Sequence, residues 1–191
     1  SSFRPEGGHP KLVDTVPFPA YTREIVERAG PYDEELVRNQ DDEYNYRLRK
    51  LGAKILLAAD VRSKYYSRGD FRKLFYQYFQ YGCWKVRVMQ KHPRQMSPRQ
   101  FIPPLFVTSL VCSAAIAFRD AIGAAPAIVI WSCYLLINLS ASALAASRVE
   151  WRLLPLISIA YAALHIGYGL GFLFGLIKFA GRWRRGQDGK M

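Results

Sequence analysis

The sequence predicts an α/β front half, then an amphipathic helix at a membrane interface, then an all-α transmembrane region. Short apolar runs alternate with polar, cappable helices over the first 60 residues, the pattern of α/β layers. An apolar stripe marks one helical face between Phe71 and Met89. Three runs then carry no Asp, Glu, Lys or Arg: Ile102 to Phe118, Ala121 to Ser147 and Leu153 to Ile177, of 17, 27 and 25 residues. About 20 apolar residues at 1.5 Å rise cross a hydrocarbon core of roughly 30 Å, so the second and third are long enough and the first is marginal. Half of the 191 residues are hydrophobic, which excludes bulk disorder. The expected segments are 1–68, 69–100 and 101–191.

Taken in order, Leu12 to Phe18 (LVDTVPF) reads as a short strand stopped by proline. Tyr21 to Ala29 reads as a helix with Thr22 as its cap and Gly30-Pro31 as its close. Asn39 is placed to cap a second helix running to about Leu51, with Gly52 as its stop. Lys54 to Val61 (KILLAADV) suits a buried strand. Phe71, Leu74, Phe75, Tyr78, Phe79, Val86 and Met89 then share a helical face, while Arg72, Lys73, Gln77, Gln80, Lys85 and Arg87 take much of the rest. An aromatic, basic, amphipathic helix just before an apolar run suits the surface of an anionic leaflet. Packing on a soluble core with a solvated basic face is the other reading of that stripe.

Charge is placed, not spread. Residues 1–59 hold 9 basic and 10 acidic side chains, 60–100 hold 10 and 2, and 101–191 hold 8 and 3, within an overall charge of +12. The basic middle points to membrane lipids as partners and, lacking any recognition motif, away from nucleic acid. Ser1 to Pro10 is polar and rich in Gly and Pro, unlike a signal peptide, and a chain opening at SSFRPEGGHPK reads as a fragment or a processed product. Cys83, Cys112 and Cys133 show no zinc or disulfide spacing and read as ordinary buried thiols in a reducing compartment.

The densest polar cluster is Asn39-Gln40-Asp41-Asp42-Glu43-Tyr44-Asn45-Tyr46-Arg47. On a helix Asp41, Asn45 and Leu48 share one face, and Glu43 and Arg47 can form a simple surface pair at i, i+4. Asp41 and Asp42 fall in the first turn, where the helix dipole alone favours carboxylates. A carboxylate there serves equally as general base if it reaches an acceptor hydroxyl. Asp14, at a strand end, reads as structural.

The segment GPYDEELVRNQDDEYNYRLRKLGAKILLAADV resembles the acceptor side of family 2 inverting glycosyltransferases. There a Gly-Gly-Phe-Asp-Glu turn precedes a Glu-Asp motif, followed by an acid and an arginine on one helix. Gly30, Tyr32, Asp33 and Glu34 match the turn, with Pro31 at the second glycine. Asp41 matches the Asp, Glu43 the acid and Arg47 the arginine, with Gln40 at the usual Glu. Gln77-Tyr78-Phe79-Gln80-Tyr81 resembles the Gln-x-x-Arg-Trp element of membrane-bound polysaccharide synthases, with Gln80 for Arg and Tyr81 for Trp, so processivity stays open. Together with PPLF and HIGYGLGFLFG the chain is most similar to succinoglycan-type exopolysaccharide glycosyltransferases of bacteria.

That resemblance implies a partial GT-A-like domain in a multi-pass protein of the bacterial inner membrane, its catalytic part cytoplasmic. It makes Asp41 the base that deprotonates the acceptor as it attacks a nucleotide sugar. It gives Asp42, Arg47, Gln77, Gln80, Tyr81 and Trp84 to the acceptor site, and implies a lipid-linked glycan acceptor. It also implies a divalent cation, Mg or Mn, whose Asp-x-Asp motif and nucleotide-binding strands belong upstream of Ser1. No Asp-x-Asp occurs in the 191 residues, so this stretch by itself is expected to be inactive. The competing class is a non-catalytic, membrane-anchored remnant that binds a partner or lipid. A transporter has little to work with, since His165 is the one ionisable group within the apolar runs apart from tyrosines and cysteines.

In the membrane half, Pro103, Pro104 and Pro126 sit near run starts, where a missing N–H is tolerated. His165 reads as a neutral group bonded to a neighbouring helix, with a lipid phosphate as the alternative. Gly167, Gly171 and Gly175 give two small-xxx-small spacings, a signal for close helix packing. Basic residues flank both ends of the region, which by the positive-inside rule puts both ends in the cytoplasm, yet three crossings cannot do that. Either the first run is interfacial or re-entrant, or the C-terminal charges are overruled.

Overall fold

The computed structural model describes residues 9–16, 19–58, 60–61, 69–117 and 124–183. The chain divides into two compact units, Ser1–Ser67 and Arg68–Met191.

The first unit holds β1 (Lys11–Val13), α1 (Arg23–Ala29), α2 (Gln40–Lys50) and β2 (Ile55–Leu57). The strands pair antiparallel, Lys11 with Leu57, Leu12 with Leu56 and Val13 with Ile55. Among the described residues the sheet is this one two-stranded ladder, with α1 and α2 between its strands in the chain. The facing pair Leu12 and Leu56 is 57% and 56% exposed, so no helix of the unit covers that side. The strands also stop short of the expected Phe18 and Val61. Pro17, Phe18 and Ala59 lie outside the described residues, and Val61 is exposed and irregular.

Helix ends follow turn chemistry more than side-chain caps. Thr22 takes the extended N-cap conformation of α1, and its side chain makes no capping bond. Asn39, expected as a side-chain cap, begins α2 with left-handed backbone (φ 63°), and its side chain does not cap either. Its contribution is the chain reversal that αL allows, with its carbonyl accepting the Glu43 N–H at 3.0 Å. Gly30 and Gly52 close the two helices at φ 74° and 85°, where a side chain would be strained. Leu36, Tyr44 and Leu48 form the buried apolar residues of this unit.

The second unit is helical: α3 (Phe71–Lys91), α4 (Ile102–Ala117), α5 (Ala124–Ala146) and α6 (Leu154–Lys178), with 3-10 turns at Pro93–Gln95, Pro98–Phe101, Trp151–Leu153 and Ala180–Arg182. The stretches Pro98–Ala117, Ala124–Ala146 and Trp151–Lys178 are long and apolar enough to cross a membrane. On α5 and α6, Ile128, Leu135, Leu136, Ile137, Ile159 and Ile177 point outward, as lipid-facing side chains do.

Gly167, Gly171 and Gly175 of α6 pack closely, as their spacing predicts, and their partner is α3, while Gly169 faces α4. A β-carbon on Gly167 would stand 2.8 Å from the Phe75 carbonyl oxygen, one on Gly175 2.6 Å from that of Cys83, and one on Gly171 would overlap that of Phe79. Each step of four along α3 is matched by four along α6, so the helices run parallel. Gly82 completes the seam from the α3 side, against the Tyr168 carbonyl and the Phe172 amide. α3 is thus packed along α6. Gly82, Cys83, Lys85, Val86 and Val88 are buried at positions spread around α3, as in a helix enclosed by its neighbours. Lys85, expected on a solvated face, is only 6% exposed.

Between α5 and α6 the contact is polar. Asn138 donates to the Ser158 carbonyl (3.3 Å) and the Tyr134 hydroxyl (3.2 Å), and accepts from Ser158 Oγ (2.7 Å) and Ser142 Oγ (3.2 Å). Its amide is thus fully used inside an apolar bundle. Tyr134 Oη also lies 3.4 Å from His165 Nδ1, the neighbouring-helix bond expected of this histidine. Cys83 is buried, whereas Cys112 and Cys133 are exposed on apolar helices, which corrects the reading of all three as buried thiols; all are free.

Replacing Gly171 by Ala is expected to lower stability by roughly 1–3 kcal/mol, because the added methyl must displace the backbone of α3. Thermal unfolding in detergent beside the outward-facing control Ile177→Ala measures it; equal midpoints would show that the seam yields freely. A tag placed after residue 191 is expected to stay protected from protease in sealed right-side-out vesicles if the basic residues Lys178 and Arg182 follow the positive-inside rule. Cleavage there would put that flank outside.

Candidate functional site

The polar cluster of the sequence folds around Arg47. Its Nε lies 2.7 Å from Glu43 Oε1, Nη1 donates to the Ala29 carbonyl at 2.7 Å, and Nη2 donates to that of Pro31 at 2.8 Å. The guanidinium also sits 4.8 Å from the centre of the Tyr44 ring. One side chain thus fastens the end of α1 and the following turn to α2. The Glu43–Arg47 pair, expected at the surface, is not there: Glu43 is 1% exposed and the Arg47 side chain 24%. The i, i+4 spacing gave the partners, and the packing of the turn onto α2 took them out of water.

Beside this staple lies an aromatic and amide network that the sequence did not signal. Tyr32 stacks on Tyr44 with ring centres 4.3 Å apart, and Tyr21 meets Tyr44 edge-on at 5.2 Å. The Tyr21 hydroxyl is 3.3 Å from that of Tyr32 and donates to Asn45 Oδ1 at 3.4 Å. Asn45 in turn donates to Thr15 Oγ1 at 2.7 Å, reaching the segment after β1. Burial, then the bond to Tyr32, hold the Tyr21 phenol well above the usual tyrosine range, so it stays a donor; the nearby Asp41 carboxylate pushes the same way. Asn45 shares its helical face with Asp41, and that spacing was the one available hint.

Asp41 is the exposed residue of the first turn of α2, one turn before Asn45, and its side chain makes no hydrogen bond or ion pair with another described residue. Asp42 is half-buried beside it. Asp33 caps its own turn, accepting the Glu35 N–H at 3.0 Å, and Asp14 pairs with Arg49 at 2.8 Å, the structural role expected of it.

Gln77, Gln80, Tyr81 and Trp84 belong to the second unit. Their spacing of three, four and seven puts them on one face of α3, opposite the Phe75–Phe79–Cys83 face that meets α6. Gln77 Nε2 donates to Tyr81 Oη at 2.8 Å, and Tyr81 meets Tyr78 edge-on at 5.6 Å. Trp84 packs near Phe179 at 5.3 Å with the Lys178 ammonium 5.1 Å from its ring. Gln80 is half-buried between them. The sequence-predicted residues therefore form two sets in separate units, Asp41, Asp42 and Arg47 in one, and Gln77, Gln80, Tyr81 and Trp84 in the other. Among the described residues no three His, Cys, Asp or Glu side chains converge as metal ligands, so the divalent cation has no ligand set there and no step below runs through it.

With this geometry in view, the chain is similar to succinoglycan biosynthesis protein ExoA of Rhizobium meliloti (strain 1021). The two are 32% identical over 184 residues, which take in 93% of this chain and 50% of that protein. The chain thus spans about half the length of the curated relative it matches. No family model matches the chain. No solved structure matches it either. The similarity takes in both the Arg47 staple and the α3–α6 pair, because it covers nearly the whole chain.

Arg47→Met keeps the aliphatic stem but strands the Glu43 carboxylate and two carbonyls. It is expected to destabilise the first unit by about 3–5 kcal/mol, the usual cost of breaking a buried pair from one side. Faster hydrogen exchange of the α1 and α2 amides checks this, and unchanged exchange would show the turn to be anchored by other contacts.

Proposed function

We propose that this chain is the acceptor-side part of a membrane-bound inverting glycosyltransferase of family 2, acting in exopolysaccharide or related cell-surface glycan assembly. The observation that carries the reading is Asp41: an exposed carboxylate on the first turn of α2, beside a protonated Tyr21 phenol and the Asn45 amide, in a chain similar to a succinoglycan biosynthesis protein. A general base needs a carboxylate open to a hydroxyl yet fixed in direction. Here α2 is fixed to the preceding turn by Arg47 and to the β1 segment by Asn45, while the carboxylate itself stays open.

In this reading Asp41 accepts the proton of the acceptor hydroxyl as that oxygen forms its bond to the anomeric carbon of a nucleotide sugar. The nucleoside diphosphate then leaves from the opposite side. In the first unit Asp42 lies beside the base on α2, and Arg47 serves the acceptor side through the turn that it holds. Gln77, Gln80, Tyr81 and Trp84 on α3 contribute amide and aromatic groups suited to sugars. The acceptor is a lipid-linked glycan, which the apolar helices keep at the bilayer, and the catalytic side is cytoplasmic at the bacterial inner membrane.

Asp41→Asn keeps the size and removes the base. In membranes carrying the full-length protein it is expected to cut sugar transfer from a labelled nucleotide sugar by about 10²–10⁴-fold at unchanged expression. Transfer at the wild-type rate would move the base elsewhere, and Glu24→Gln on the exposed side of α1 serves as the control.

A further inference from the structure

Beyond α3 the chain makes its two proline-led turns and enters α4, while at the other end of the sequence α6 runs out into the turn Ala180–Arg182. Met89, Pro93, Met96, Pro98, Phe101 and Trp183 line an open groove of about 520 Å³ where these segments meet. That size falls within the roughly 300–1,000 Å³ of small-molecule sites. The lining side chains are methionine, proline and aromatic, so apart from the Trp183 indole N–H they offer a sugar or nucleotide no side-chain hydrogen bond. Two are methionines, whose flexible thioethers fit a chain of variable shape.

Three of the lining residues have an arginine next to them in the chain: Arg94 follows Pro93, Arg99 follows Pro98 and Arg182 precedes Trp183, and all three arginines are exposed. Depth selects the occupant further. The apolar stretch Pro98–Ala117 begins at the groove and Trp151–Lys178 ends just before it, so the groove opens where two candidate spans meet the headgroup layer. Trp183 at its edge suits that layer. An apolar groove at this depth, with exposed arginines adjoining its lining residues in the chain, complements a molecule with a hydrocarbon chain and an anionic head.

We infer that the groove holds one acyl chain of an anionic glycerophospholipid, its headgroup paired with Arg94, Arg99 and Arg182. This does not rest on the transferase reading, since none of the residues proposed for transfer takes part. The bound lipid fills the angle between the end of α3 and the start of α4, tying the occupancy of this site to leaflet composition.

The test uses the full-length protein in phosphatidylcholine nanodiscs containing a small fraction of phosphatidylglycerol brominated on its acyl chain. The Trp183 signal is taken as the difference from Trp183→Phe. Brominated phosphatidylglycerol is expected to quench it at a mole fraction about tenfold lower than brominated phosphatidylcholine does. The double variant Arg94→Gln/Arg99→Gln, its helicity checked by circular dichroism, should bring the two lipids together. Equal quenching by both in the unaltered protein would reduce the groove to ordinary lipid contact, and quenching by neither would close it to acyl chains. Relief of quenching by an equimolar polyprenyl phosphate would assign the groove to an isoprenoid and overturn the inference.

Discussion

The backbone-to-backbone approach of α3 and α6 is the constraint on which the second unit depends. In an apolar surrounding there is no hydrophobic force between helices, so association rests on close packing and on polar contacts. Glycines at 82, 167, 171 and 175 remove the β-carbons that would hold the helices apart. Each glycine costs a helix roughly 0.5–1 kcal/mol relative to alanine, which the contacts must offset. The aromatic pairs Phe79–Phe174 and Phe101–Phe172, at 5.6 and 5.7 Å, close over the seam. Gln90 seals its end by donating to the Phe179 carbonyl at 2.9 Å. A helix carrying Lys85 and Arg87 is thereby held against one that carries no Asp, Glu, Lys or Arg from Leu154 to Ile177.

The first unit solves a different problem, because its sheet is too small to organise anything. A two-stranded ladder is marginal in water, and here its outer leucines stay exposed. Order comes instead from Arg47, whose planar fork serves one carboxylate and two carbonyls at once, a geometry that lysine lacks. Burying Glu43 costs solvation, and the pair repays this only because the remaining guanidinium N–H groups find backbone acceptors. Asp41, on the same helix, is left open. The cluster thus divides into a buried half that fixes the turn and an exposed half that is free to do chemistry.

Much of this was legible in the residues. Gly30 and Gly52 marked two helix ends, the apolar runs marked three long helices, and the glycine spacing marked a close packing face. Less legible was what each feature packs against. Period-four glycines say that something comes near but not what, and the nearest candidates were the other apolar helices. The stripe on α3, with its basic residues, pointed to a membrane surface, yet a protein surface presents apolar atoms to one side as well. Asn39 carried the composition of a cap, yet capping is a matter of φ and χ angles, which composition does not set.

The sequence by itself determined the order of helices, the apolar lengths, the placing of charge and the pairing of Glu43 with Arg47. All of these depend on neighbours within a turn or two of chain. Only the tertiary structure decided that this pair is buried, that the tyrosines at 21, 32 and 44 converge beside Asp41, and that α3 is the partner of α6. Those outcomes join residues tens of positions apart, 92 in the case of Phe79 and Gly171, and contacts at that separation are selected by which surfaces can approach closely, not by local periodicity.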